Sequence, residues 1–197
     1  MRFLNDRRVG LLLYLAAVGL MLIFPSWALA HESAEHAGSG FSAGILHPLT
    51  GVDHLLMLIS VACFSARVSS LKAKFFSVCF LLALASGFFV GLNGIGLGFV
   101  ENGIVLSLLL MALLLISARE LPAFASALVI TMFGVMHGVP HGLEMPSSVL
   151  SSEYLLGLML ASTITLAVSY VAATRLTRQL RWQRGLAFAL CAVALVS

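Results

Sequence analysis

Charge is what this sequence has least of. Only 10% of its 197 residues are Asp, Glu, Lys or Arg, where a soluble domain carries roughly 25%. A chain so poor in charge, 60% hydrophobic and with a mean hydropathy of +1.06, cannot clothe a water-facing surface. A soluble globule is excluded, and the solvent is a lipid bilayer. The net charge of +3 falls to +1, eight basic against seven acidic residues, once Arg2, Asp6, Arg7 and Arg8 at the extreme N-terminus are set aside. No basic stripe remains, which excludes nucleic acid as a partner. Cysteine is scarce too. Cys63, Cys79 and Cys191 sit singly in apolar runs with no CxxC spacing, and read as small buried hydrophobes, not a disulfide frame or thiolate zinc site. No nucleotide-binding motif appears.

What is present begins with a targeting segment. Met1–Arg8 is basic, Leu11–Phe24 is an apolar stretch of 14 residues, Pro25 breaks it, and Ala28-Leu29-Ala30 supplies small-x-small cleavage chemistry. Residues 1–30 are therefore expected to be a cleavable signal peptide, leaving His31 as the mature N-terminus. The alternative is an uncleaved first span, but 14 residues reach only ~21 Å across a ~30 Å core.

The remainder, 31–197, divides into six apolar segments at roughly 41–66, 75–95, 96–118, 122–143, 154–174 and 183–197. The expectation is an all-α membrane protein, a six-transmembrane-helix bundle in one domain, with no room for a second. Arg67, Lys72 and Lys74 lie between the first two segments, Arg119 between the third and fourth, and Arg175, Arg178, Arg181 and Arg184 between the last two. With the N-terminal three, all 11 basic residues fall on one side. The positive-inside rule makes that side cytoplasmic, in a multi-pass inner-membrane protein whose mature termini both face outward.

The informative residues are the polar ones inside apolar runs. In the first segment His47, Gly51 and His54 are spaced i, i+4, i+7, which puts both imidazoles on one helix face. Asp53 and Met57 form a second pair beside them. The fourth segment repeats the spacing with His137, His141 and Glu144, across a distorting Pro140. The third adds Glu101, Asn102 and Ser107. Each has a bland reading: Ser107 and Thr50 as hydrogen bonds to a neighbouring helix, Pro48 and Pro140 as kinks, Met57, Met136 and Met145 as packing. The set is harder to dismiss, because an acid at the centre of a membrane helix costs roughly 2.5–3.5 kcal/mol on the insertion scale.

At 1.5 Å per residue His47 is expected about 9 Å below the outer surface and His54 about 20 Å, with His137 about 22 Å up from the inner face. His141 and Glu144 are expected near the outer rim, and Glu101 close to the outer surface. Polar groups thus descend from outside to the midplane, the layout of an outward-facing cation path. Imidazole with carboxylate and no thiolate suits Ni²⁺, Co²⁺ or Zn²⁺ rather than Cu(I), Mg²⁺ or Ca²⁺. Segments one and four each hold Gly, Pro, two His and an acid and run in opposite directions, the pattern of interrupted helices in inverted transporter halves.

His47-Pro48-x-x-Gly51-x-Asp53-His54, followed later by His137-Gly138-x-x-His141-Gly142-x-Glu144-x-Pro146, resembles the HupE/UreJ family of hydrogenase and urease accessory membrane proteins, regarded as nickel or cobalt permeases. The resemblance covers essentially all of 31–197. It implies that His47, Asp53, His54, His137, His141 and Glu144 serve metal passage, with Glu101 and Ser107 at family-like positions. Pro140, where the family has a small residue, departs from the pattern.

The resulting expectation is a secondary importer of a divalent transition metal, nickel first and cobalt second, not an enzyme. It needs no cofactor and has the ion and the bilayer as partners; a homo-oligomer stays open. A non-transporting assembly partner for a metalloenzyme is the alternative. An intramembrane enzyme is the weaker rival, since the two histidines of His31-Glu32-Ser33-Ala34-Glu35-His36 are five apart rather than the four of HExxH. His31 and His36 could instead scavenge metal at the outer mouth, or belong to a solvated tail.

Overall fold

Inside lipid the backbone's polar groups have no partner but one another, and the chain satisfies them with helices. The computed structural model describes residues 39–95, 100–117, 121–176 and 180–194; the expected signal peptide and the tail with His31 and His36 lie outside the described residues. Seven helices follow in order: α1 Gly40–Thr50, α2 Val52–Ser65, α3 Ser70–Leu92, α4 Val100–Ile116, α5 Ala123–Leu143, α6 Ser151–Leu176 and α7 Leu180–Ala194. No strand occurs among the described residues. Helices α3, α5 and α6 are long and apolar enough to cross a bilayer, and α1 with α2, bent by 74°, passes the same measure of length and composition when the pair is taken as one span. The 17 residues of α4 reach about 25 Å. Outward-facing Leu71, Phe75, Leu82, Phe89, Leu113, Phe124, Leu128, Leu156 and Val168 are all exposed, an apolar exterior that suits hydrocarbon.

The bend corrects the expectation of one continuous first helix. Pro48 brings no N–H to α1 and crowds the carbonyl one turn back, and Gly51 adopts extended backbone (φ −73°, ψ 108°) that ends α1 and starts α2. Thr50 Oγ1 donates to the carbonyls of Leu46 (3.0 Å) and His47 (3.2 Å), so it serves its own helix end and not a neighbour. The i, i+4, i+7 face therefore does not exist as a helical face. His47 and His54 lie on two helices that meet at an angle.

Close glycine packing joins the elements in two matching pairs. Gly40-x3-Gly44-x2-His47 on α1 has the same spacing as Gly134-x3-Gly138-x2-His141 on α5. A Cβ on Gly44 would fall 2.1 Å from the Tyr154 carbonyl of α6, and one on Gly138 would fall 2.2 Å from the Leu84 carbonyl of α3. Reciprocally, Gly157 meets the Phe41 carbonyl at 2.2 Å and Gly87 the Val135 carbonyl at 2.4 Å. Tyr154 precedes Gly157 by three residues as Leu84 precedes Gly87, so the two contacts are the same contact made twice. Register rises together in each pair, which makes α1 parallel to α6 and α3 parallel to α5. The internal echo of the two halves is thus built into the packing.

The core fills between these pairs. Phe76, Phe80 and Phe88 of α3, Phe133 of α5, Leu108, Met111 and Leu115 of α4 and Leu158 of α6 are almost wholly buried. Met57 is buried among them, as packing requires. Arg67, just past α2, donates to the Leu114, Leu115 and Ser117 carbonyls at the end of α4, placing a cation where the helix dipole is negative.

Candidate metal centre

The bent first span and α5 bring four histidines together. His47 (6% exposed), His54 (8%), His137 (1%) and His141 (1%) are all buried. Their rings form a file: His47 to His141 at 4.8 Å between centroids, His141 to His54 at 4.2 Å, His54 to His137 at 4.9 Å. Moving forward along the first span the partners run backward along α5, so the two are antiparallel. The file is reached past Glu144, whose side chain is 42% exposed and whose Oε2 lies 3.6 Å from His47 Nε2. At the other end Asp53, in the first turn of α2, sets Oδ2 3.2 Å from His54 Nδ1.

One ligand atom each from Asp53, His54 and His137 lies within 4.8 Å of the others. Two ligands at about 2.0–2.1 Å from one ion are separated by roughly 3 Å at a right angle and about 4.2 Å when opposite. The Asp53–His54 spacing of 3.2 Å fits that range. A cavity of about 10 Å³ adjoins, lined by His54, His137, His141 and Ser162 with Pro48, Leu58, Phe80 and Leu84; one water-sized body fits such a space.

His141, two residues before the end of α5, is buried between the rings of His47 and His54. Glu144 caps the C-terminus of α5 with its N–H on the Pro140 carbonyl, and its side chain meets His47, the ring that also touches His141. Glu101 is exposed on the first turn of α4, and the structure does not gather it, or exposed Asn102, with the histidines. Ser107 does bond a neighbouring helix, and the partner is His137 Nε2 at 3.0 Å.

Sequence reasoning missed what α6 brings. Tyr154, fully buried, stands 6.1 Å from the His47 ring and stacks on Phe88 at 6.0 Å. Its hydroxyl and that of buried Ser162 have no hydrogen-bond partner among the described residues. Neither carries a spacing signal, since a single Tyr or Ser in an apolar run is ordinary. Their only mark is the glycine register that presses α6 against α1.

The family model described as HupE / UreJ protein matches residues 18–197. Protein HupE of Rhizobium leguminosarum bv. viciae is 31% identical over 143 residues, 73% of this chain and 74% of that protein. No solved structure matches. An all-helical membrane protein with this motif pair and this match along nearly its whole length belongs to the HupE/UreJ family.

Proposed function

We propose that the protein is a secondary importer of a divalent transition metal, Ni²⁺ first and Co²⁺ second, acting through the file of histidines. The observation that carries this is the convergence of four buried imidazoles with Asp53 and Glu144 in a chain otherwise stripped of charge. In hydrocarbon such groups are retained for a cation path, not for packing. Glu144 at the surface captures the hydrated ion; His47 and His141 replace its water; Asp53, His54 and His137 hold it at depth. A break in a span beside a matching helix of the opposite half is where transporters place their cargo. Family membership suggests a nickel or cobalt role, as accessory or transporter; the site favours transport.

In this reading the chain crosses the inner membrane six times, with residues 1–30 removed as a signal peptide and both mature termini outside. The parallel pairs α1–α6 and α3–α5 support it, since each needs the intervening chain to cross back. Two charges moving down the membrane potential release about 4.6 kcal/mol per 100 mV, enough to drive import without nucleotide. The test is ⁶³Ni²⁺ uptake into proteoliposomes holding the purified protein under an inside-negative potential. Accumulation above protein-free vesicles, lost in His54→Ala, is expected. Tight binding without accumulation would replace transport by a metal-holding accessory role.

A further inference from the structure

An imidazole offers a metal one lone pair, and the nitrogen that carries it is decided by what the other nitrogen does. In His54, Nε2 lies 3.1 Å from the carbonyl oxygen of His137. A carbonyl only accepts, so Nε2 carries the hydrogen and donates it. Asp53 Oδ2, 3.2 Å from Nδ1, is an acceptor too, so Nδ1 also carries a hydrogen until an ion displaces it, and the lone pair that the ion then takes is at Nδ1. In His137, Nε2 lies 3.0 Å from Ser107 Oγ. That hydroxyl spends its single hydrogen on the Ile104 carbonyl at 2.7 Å, so what it turns to His137 is a lone pair. His137 must therefore donate from Nε2 and keep its own lone pair at Nδ1. Nδ1 of His137 is sealed from the surface and has no hydrogen-bond partner among the described residues. Both rings are thus held donating from Nε2, one to a carbonyl directly and one through Ser107, which leaves Nδ1 of each for an ion.

We infer that Ser107 is a positioning residue for metal capture: relaying the Ile104 carbonyl to His137, it fixes the ring so that the Nδ1 atoms of His54 and His137, with the Asp53 carboxylate, take the ion. The inference rests on the metal-import reading and names the ligand atoms of that site. Ser107 touches no ion itself. A partner that holds the far nitrogen of a metal-binding His changes metal affinity by 10–100-fold, whereas a hydroxyl that merely staples α4 to α5 would leave affinity alone.

The pair Ser107→Thr and Ser107→Val separates these roles, because the two side chains share a shape and only Thr keeps the hydroxyl. Full-length protein in detergent is titrated calorimetrically with Ni²⁺, and thermal midpoints are recorded alongside. Ser107→Thr should bind within about threefold of wild type, and Ser107→Val 10–100-fold more weakly at a similar midpoint. Ser107→Ala, smaller than either, should also bind weakly, which keeps the test decisive if the branched side chains do not fit. Equal affinity of Thr and Val, or wild-type affinity in Ala, overturns the inference. Undiminished binding by His54→Ala overturns the site reading itself, so the two failures are told apart.

Discussion

At the scale of residues, the site divides into groups that face water and groups that do not, and their loss should be felt differently. Asp53 and His54 sit together at the deep end, with no other carboxylate beside that ring in the metal-spaced group. Asp53→Ala and His54→Ala should each abolish ⁶³Ni²⁺ uptake while protein in the membrane, measured by immunoblot, stays at the wild-type amount. Glu144 is different. A half-exposed pair such as Glu144–His47 is worth about 0.2–1 kcal/mol, so Glu144→Gln should raise the apparent KM by no more than about fivefold and spare the maximal rate. His141, being central, should lower the maximal rate when replaced by Ala. A His141→Ala variant with only a raised KM would assign it to ion capture at the outer rim instead.

At the scale of elements, the helices are held by backbone approaching backbone at small residues. Lipid offers no hydrophobic drive for helix association, so close contact and dispersion must supply it. Gly138 is pressed against α3, and a methyl there would lie 2.2 Å from the Leu84 carbonyl oxygen. Gly138→Ala should therefore separate α3 from α5 and cost about 1–3 kcal/mol or more, seen as a lowered thermal midpoint in detergent and less protein in the membrane. Gly94 makes the comparison. It has φ +71° but open space around it, so Gly94→Ala should cost only the backbone strain of about 1–2 kcal/mol and leave metal binding unchanged. If Gly138→Ala is as stable as wild type, the paired-glycine architecture is not what holds α3 to α5. The sequence motif had flagged Gly138 and Gly142 beside the histidines; their partners Gly87 and Gly91 lie in an apolar run with no polar landmark, and only the packing identifies them.

For the molecule as a whole, orientation follows from charge and can be read from outside. Ser148, between α5 and α6, and Lys72, in the first turn of α3, should lie on opposite faces. In a background without Cys63, Cys79 and Cys191, a membrane-impermeant maleimide added to intact cells should label Ser148→Cys and not Lys72→Cys, and both after lysis. Labelling of both from outside, or of Lys72→Cys alone, would break the assigned topology. The placement of the lysines and arginines is legible without any structure, because their hydration decides where they reside whatever the helices do.

What the sequence determined alone is therefore what depends on solvent preference residue by residue: a membrane protein, helical wherever its residues are described, with its buried polar groups concentrated in two apolar runs. Hydropathy needs no neighbours to act. What only the tertiary structure decided is which of those residues meet. His47 and His54 share a centre not through a common helical face but through a 74° break that Pro48 and Gly51 create. Glu144 at the end of α5 meets His47 of α1, and the Ser107 hydroxyl, legible in the sequence only as one polar residue of an apolar segment, meets His137. Those pairings are set by crossing angles and close backbone contacts between segments far apart in the chain, and no local pattern encodes the angle at which two helices meet.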